Sequence, residues 1–167
     1  TDRLVAAFGI ASVADPHAPR YNIAPTQPVP AVVRGDDGLR LGALRWGLVP
    51  HWADDPGIGS RLINARSETV DRKPAFRDAF HARRCWVLAD GFYEWHEHDG
   101  RKVPVHFHLP DGAPFAFAGL WDRWRRGDGE DDEEIVSCTL LTTEPNDAVR
   151  PVHDRMPVIL PTDVRER

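Results

Sequence analysis

The chain has 167 residues, of which 41% are hydrophobic, 28% charged and 9% aromatic, a composition that suits one soluble globular domain with a single core. It contains no apolar run long enough to span a bilayer and no basic stretch leading into an apolar one at its start, which excludes a spanning helix and a secretory signal within these residues. The formal charge of −5 disfavours a polyanionic partner only on average: six of the 26 acids crowd residues 127–134 (GDGEDDEE), and the other 20 face 21 bases.

From Arg40 to Asp90 nine bases stand against six acids, which leaves room for a local positive surface. The acidic run reads as a solvated hairpin loop. Cys85 and Cys138 lie in apolar, strand-like runs, which fits reduced thiols in a cytoplasm rather than a disulfide framework.

In chain order, Leu4, Val5 and Phe8 have the spacing of a short amphipathic helix. Residues 21–30 (YNIAPTQPVP) carry three prolines and must be extended, at a sheet edge or across a surface. Residues 31–33 and 39–46 flank an Asp37-Gly38 turn, a hairpin signal. Residues 47–60 form a loop rich in Gly, Pro and Asp that also holds Trp52. Pro74 opens a helix running to about Arg84, with Phe76 and Phe80 on one face.

Beyond it the chain is mostly strand: 85–89, 92–97, 102–109, 114–124, 135–143 and 156–160. The breaks are Asp90-Gly91, Asp99-Gly100, Asp111-Gly112 and the acidic loop, and such short connections predict antiparallel neighbours. Pro161-Thr162-Asp163 reads as a helix start with only four residues after it, which suggests a chain that continues. The expectation is a single α+β domain over residues 1–167, with a mainly antiparallel, twisted, barrel-like sheet and a few short helices.

Three residues invite chemistry. Glu94, in ADGFYEWH, sits between aromatic neighbours that would raise its pKa and suit it to general acid or base work; otherwise it is a strand glutamate facing water. His153, in PVHDRMPVIL, is a proton carrier or a loop anchor bonded to Asp154 or to backbone. Asn64, in LINARSETV, is a turn-former or an amide that orients a reacting group.

His96, His98, His106 and His108 flank one hairpin and raise the question of zinc. With Asp99-Gly100 as a two-residue turn, Glu94 opposes Val105 and His96 opposes Val103. His96 and His98 then share a face with Glu94, while His106 and His108 share the other with Tyr93 and Trp95. The two pairs cannot jointly build a tetrahedral site in that register, so no metal is expected; a one-residue slip would reopen the question. Trp46, Trp52 and Trp95 are core or rim packing, or stacking surfaces for single-stranded bases.

Taken in order, RYNIAPTQ (20–27), LRWGLVPHWA (44–53), LINARSETV (62–70), FRDAFHARRCWVLADGFYEW (76–95) and HDRMPVIL (153–160) make the chain resemble the SRAP family, the SOS-response-associated peptidase-like proteins that link covalently to abasic sites in single-stranded DNA. The resemblance implies a nucleophilic cysteine made N-terminal by removal of the initiator methionine. An α-amine titrates near 7.7–8.0, far below lysine at about 10.4, so it is partly neutral at pH 7 and can attack the aldehyde of an abasic sugar. The thiol of the same residue then closes a five-membered thiazolidine.

The sequence departs from that pattern by starting at Thr1. Cys85 and Cys138 carry amide nitrogens and cannot close such a ring. Either the recorded chain lacks its start, as it would lack a C-terminal segment after Pro161, or the nucleophile has been lost.

By resemblance Asn64 orients the cysteine, Glu94 moves protons as the sugar ring opens and the linkage forms or reverses, and His153 shuttles a proton or stabilises charge on the opened sugar. Arg66 and Arg155 hold flanking phosphates, as does Arg72 or Lys73, while Trp52 and Pro25 wedge against bases. Lyase and self-processing peptidase activities are implied with no cofactor. The expected partner is single-stranded DNA containing abasic sites, bound by a cytoplasmic, nucleoid-associated monomer without membrane contact. The competing readings are a non-catalytic single-stranded nucleic-acid-binding module and a metal-independent hydrolase using Glu94 and His153.

Overall fold

The computed structural model describes residues 1–127 and 133–161. Most of the expected acidic loop, and most of the helix start expected at 161–163, lie outside the described residues.

Helix α1 (Asp2–Phe8) ends at Gly9, whose φ of 60° is a left-handed cap that glycine adopts without strain. The strands are β1 (Ser12–Val13), β2 (Pro28–Gly35), β3 (Gly38–Trp46), β4 (Asn64–Arg66), β5 (Arg84–Ala89), β6 (Phe92–His98), β7 (Arg101–Phe107), β8 (Phe115–Arg125), β9 (Glu134–Thr143), β10 (Met156–Pro157) and β11 (Ile159–Leu160). A 3-10 helix (Pro56–Arg61) lies between β3 and β4, and helix α2 (Arg77–Ala82) precedes β5.

Strands β3, β2, β5, β8 and β9 are neighbours in that order, and β3 also pairs with β9. The sheet therefore closes into a five-stranded barrel, mixed because the β3–β9 seam is parallel (Arg45 beside Ser137, Trp46 beside Cys138) while its other pairings are antiparallel. Alternate side chains fill one cluster: Val29, Ala31, Leu44, Cys85, Val87, Phe115, Phe117, Cys138 and Leu140. Residues of opposite parity (Val32, Leu41, Leu88, Ala116) pack with Phe8 and Ile10, covering the barrel wall next to α1. Strand β8 is covered on both faces, which is why it reads as a nearly unbroken apolar run.

The barrel-like, α+β expectation holds. Pro28 and Pro30 sit where β2 has only β3 beside it, since β5 pairs with Ala31, Val32 and Val33 alone, so no ladder donor is missed on that side. Phe76 and Phe80 pack in one cluster, as their spacing required.

Several local expectations are corrected. Gly35 pairs with Gly38, so the β2–β3 turn is Asp36-Asp37, and Gly38, at φ 114°, is the first strand residue rather than a corner. Helix α2 is shorter than residues 74–84. Arg83 gives its carbonyl to the N–H of Trp121 (2.9 Å), which draws the chain into the sheet, and Arg84 already belongs to β5.

Short links also fail to pair β5 with β6 or β7 with β8. Both edges of β5 are taken by β2 and β8, so β6 and β7 stand apart as a two-stranded ribbon. Three pairings are parallel: β1–β3, β3–β9 and β4–β9. Residues 156–160 divide into β10 on β9 and β11 on β8. Asn64, weighed as a turn-former, instead begins β4.

Candidate active site

The ribbon delivers Glu94. Its turn residues Asp99 and Gly100 have φ of 50° and 70°, the left-handed pair that a two-residue hairpin favours. The resulting register pairs Glu94 with Val105 and His96 with Val103, as the turn predicts. At the root of the ribbon Phe92 stacks on Phe107 and meets Phe117 of the barrel core edge to face (centroids 5.1 and 5.8 Å apart). Glu94, two residues on, lies on the same face of β6.

His153 comes from the turn ahead of β10. The backbone N–H of Arg155 donates to its Nδ1 (3.0 Å). Nδ1 also lies 3.1 Å from the Arg155 carbonyl oxygen and 3.3 Å from Asp154 Oδ1, so either ring nitrogen can carry the proton of a neutral ring. Nε2 is 3.8 Å from Glu94 Oε2. The Glu94 side chain is 20% exposed, and burial pushes its pKa up; His153 partly opposes the rise, and Asp154 adds to it. A desolvated carboxyl this close to an imidazole can exchange a proton with it.

Asn64 and Arg66 reach this region through β9. Strand β4 runs parallel to it, with Asn64 beside Leu140 and Arg66 beside Thr142. Thr142 also pairs with Pro157 of β10 and accepts, at its carbonyl, a bond from Arg155 (2.8 Å). The 64–68 and 153–157 segments thus flank one stretch of β9. Ala65 turns into the core, while Asn64 and Arg66 are exposed and without side-chain hydrogen bonds among the described residues.

Arg155 differs. Its Nη1 and Nη2 bond the two oxygens of Glu68 (2.8 and 3.0 Å), and its side chain is only 18% exposed. The hydrogen bond from Arg155, the largest cause, brings Glu68 down from the usual 4.5 to about 2, and the same bond raises Arg155. Both guanidinium ends are committed within the protein, unlike those of Arg66. Glu68 escaped the sequence reading, although an acid two residues after Arg66 in LINARSETV was the available signal.

The remaining site candidates are dispersed. Arg72 bonds the Glu68 carbonyl (3.1 Å) and lies near Asp71, while Lys73 is exposed with no side-chain partner among the described residues. Pro25 is exposed in the turn before β2. Trp52 is 49% exposed, and its loop is anchored beside Ser137, on the order of 17 Å along β9 from Thr142 by strand rise. The histidine pairs His96–His98 and His106–His108 occupy opposite faces of the ribbon, and no group of three or more His, Cys, Asp or Glu among the described residues is arranged to hold a metal ion. No helix among them is long and apolar enough to cross a membrane.

Comparison with known proteins agrees with this architecture. The family profile described as SOS response associated peptidase (SRAP) matches residues 1–167. The chain is 47% identical over 148 residues to the abasic site processing protein YoaM of Bacillus subtilis, covering 88% of this chain and 64% of that one. It is 32% identical over 178 residues to the abasic site processing protein HMCES of Xenopus tropicalis, covering 89% and 52%. The chain therefore spans less than two thirds of either relative. A crystal structure of a protein from Bordetella bronchiseptica superposes with a TM-score of 0.82 at 32% identity, over 98% of this chain and 81% of that one.

Proposed function

We propose that this chain, which belongs to the SOS response associated peptidase family, is the core of an abasic-site processing protein that binds single-stranded DNA and becomes covalently linked to it. The observation that carries the reading is the 3.8 Å contact between a desolvated Glu94 and His153 Nε2, in a turn that leads to β10, which shares with β4 and its exposed Asn64 and Arg66 one stretch of β9. The aldehyde of an abasic sugar needs a proton donor as its ring opens and as an imine forms, and a base when the linkage reverses. Glu94 and His153 supply both roles, Asn64 orients the attacking group, and Arg66 holds a flanking phosphate. Trp52 and Pro25 stack or wedge against bases further along the strand.

The linkage is a thiazolidine made by an N-terminal cysteine that this sequence does not contain. Cys85 and Cys138 cannot replace it, because both nitrogens are in peptide bonds and both thiols are buried. Lyase and self-processing peptidase activity belong to the same proposal.

The test mixes this chain, and a version extended to begin with cysteine, with single-stranded DNA bearing one abasic site. Denaturing gels should show a heat-stable adduct from the extended protein only, lost when that cysteine becomes alanine. A stable adduct from the chain as it stands would overturn the thiazolidine chemistry. No adduct from the extended protein, with DNA binding intact, would leave a non-catalytic single-strand-binding module.

A further inference from the structure

At the base of the Trp52 loop, away from Glu94, a buried carboxylate gathers donors from three residues. Asp122 of β8 is 4% exposed. Its Oδ2 accepts the backbone N–H of His51 (3.0 Å), lies 3.1 Å from His51 Nδ1, and is reached by Arg83 Nη2 at 3.4 Å. Its Oδ1 accepts the N–H of Arg123 (2.8 Å) and lies 3.1 Å from Arg83 Nε. A buried charge persists only with this kind of compensation. An acid within the apolar run FAFAGLWDRW was the sequence signal for it.

Two more barrel side chains hold the same loop. Ser137 Oγ accepts the N–H of Val49 (2.8 Å), and Trp124 Nε1 donates to the carbonyl of Ala53 (2.6 Å); both residues are buried. The base of the loop is closed by backbone against backbone. A Cβ on Gly47 would meet the Gly59 carbonyl oxygen at 2.5 Å, and one on Gly59 would meet that of Gly47 at 2.7 Å. The N–H of Ala53 bonds the Pro50 carbonyl (2.9 Å), which makes His51 and Trp52 the corners of a turn. Both corner side chains are about half exposed, but the His51 ring is held at Nδ1 by Asp122, while Trp52 presents its indole to solvent.

An exposed indole on a loop pinned at three successive points loses little conformational freedom when a base stacks on it. We infer that Asp122, together with Ser137 and Trp124, positions Trp52 as a rigid stacking step for single-stranded DNA. The inference rests on the proposed contact of Trp52 with bases. Asp122 touches no base itself and acts through the His51 turn.

The test uses Asp122→Asn, Ser137→Ala and Trp124→Phe, each removing or weakening one anchor, alone and combined with Trp52→Ala. Binding of a fluorescent single-stranded oligodeoxynucleotide with one tetrahydrofuran abasic analogue is read by anisotropy, and amide exchange of residues 47–59 by mass spectrometry. Trp52→Ala should weaken binding by about tenfold. Each anchor variant should weaken it several-fold and speed exchange in 47–59 while β8 and β9 stay protected. In the Trp52→Ala background the anchor variants should cost nothing further.

An equal loss with and without Trp52 would overturn the inference, since a merely structural defect is additive. Faster exchange with unchanged affinity would overturn it too. Should Asp122→Asn fail to fold, Ser137→Ala, which leaves the charge network whole, carries the same test. Normal binding by Trp52→Ala would instead sink the proposed base contact, and the positioning role with it; weak binding by that variant with normal binding by every anchor variant would sink the positioning role alone.

Discussion

Arg155 reaches Glu68 across 87 positions of sequence and grips both of its oxygens, at 2.8 and 3.0 Å. The pair fastens the segment after β4, which carries Asn64 and Arg66, to the turn that carries His153. Geometry of this kind is bidentate and directional, which a lysine cannot reproduce.

Glu68→Gln should therefore loosen both halves of the site and lower the melting temperature at neutral pH. A carboxyl depressed to about 2 when folded contributes stability above its usual 4.5, and loses it as pH falls toward 2. The gap between parent and variant should be widest near pH 7 and narrow on acidification. Melts at pH 7, 4 and 2.5 check this; a gap independent of pH would show that the charge of Glu68 is irrelevant. Arg155→Lys should behave like Glu68→Gln.

Glu94 has the opposite sign. Burial raises its folded pKa, so above 4.5 the folded state holds a proton that the unfolded state has released, and stability falls as pH rises through the folded value. Glu94→Gln removes that titration. Relative to the parent, the variant should gain stability between pH 4.5 and neutrality while losing adduct formation in the extended protein. Parallel melting curves would place Glu94 in water.

Gly119 sits where β5, β8 and β9 meet inside the barrel. A Cβ there would lie 2.9 Å from Cys85 Sγ and 3.1 Å from the Thr139 carbonyl oxygen. Gly119→Ala should cost about 1–3 kcal/mol by overpacking, with partial rescue by Cys85→Ala. Chemical denaturation of the two variants would show it; an unchanged midpoint would mean the wall yields freely.

Burial pushes the Cys85 thiol well above its ordinary value and Cys138 up to about 12. Neither should react with Ellman's reagent at pH 8 while the barrel is folded, and both should react after unfolding in guanidinium. Absorbance at 412 nm before and after unfolding decides it, and a fast native thiol would mean that the barrel opens.

The features legible in the sequence are those set by neighbours in the chain. The Asp99-Gly100 turn fixes the register of β6 on β7, and with it the face that Glu94 shares with His96, because a two-residue turn leaves one pairing. Phe76 and Phe80 announce the packed face of α2 by spacing alone. Five ordered motifs also pointed to the family that the whole chain matches.

Where segments far apart in sequence meet is set by long-range packing. Parallel pairing of β3 and then β4 along β9 closes the barrel and sets Arg66 beside Thr142, and no turn residue encodes such a seam. Glu94 and His153 meet because the ribbon stacks on Phe117 while β10 hangs from β9. Arg155 shows the difference most sharply. Its motif carries no sign of a protein partner, yet folding places Glu68 within its reach, and a mostly buried guanidinium takes the carboxylate that the fold supplies.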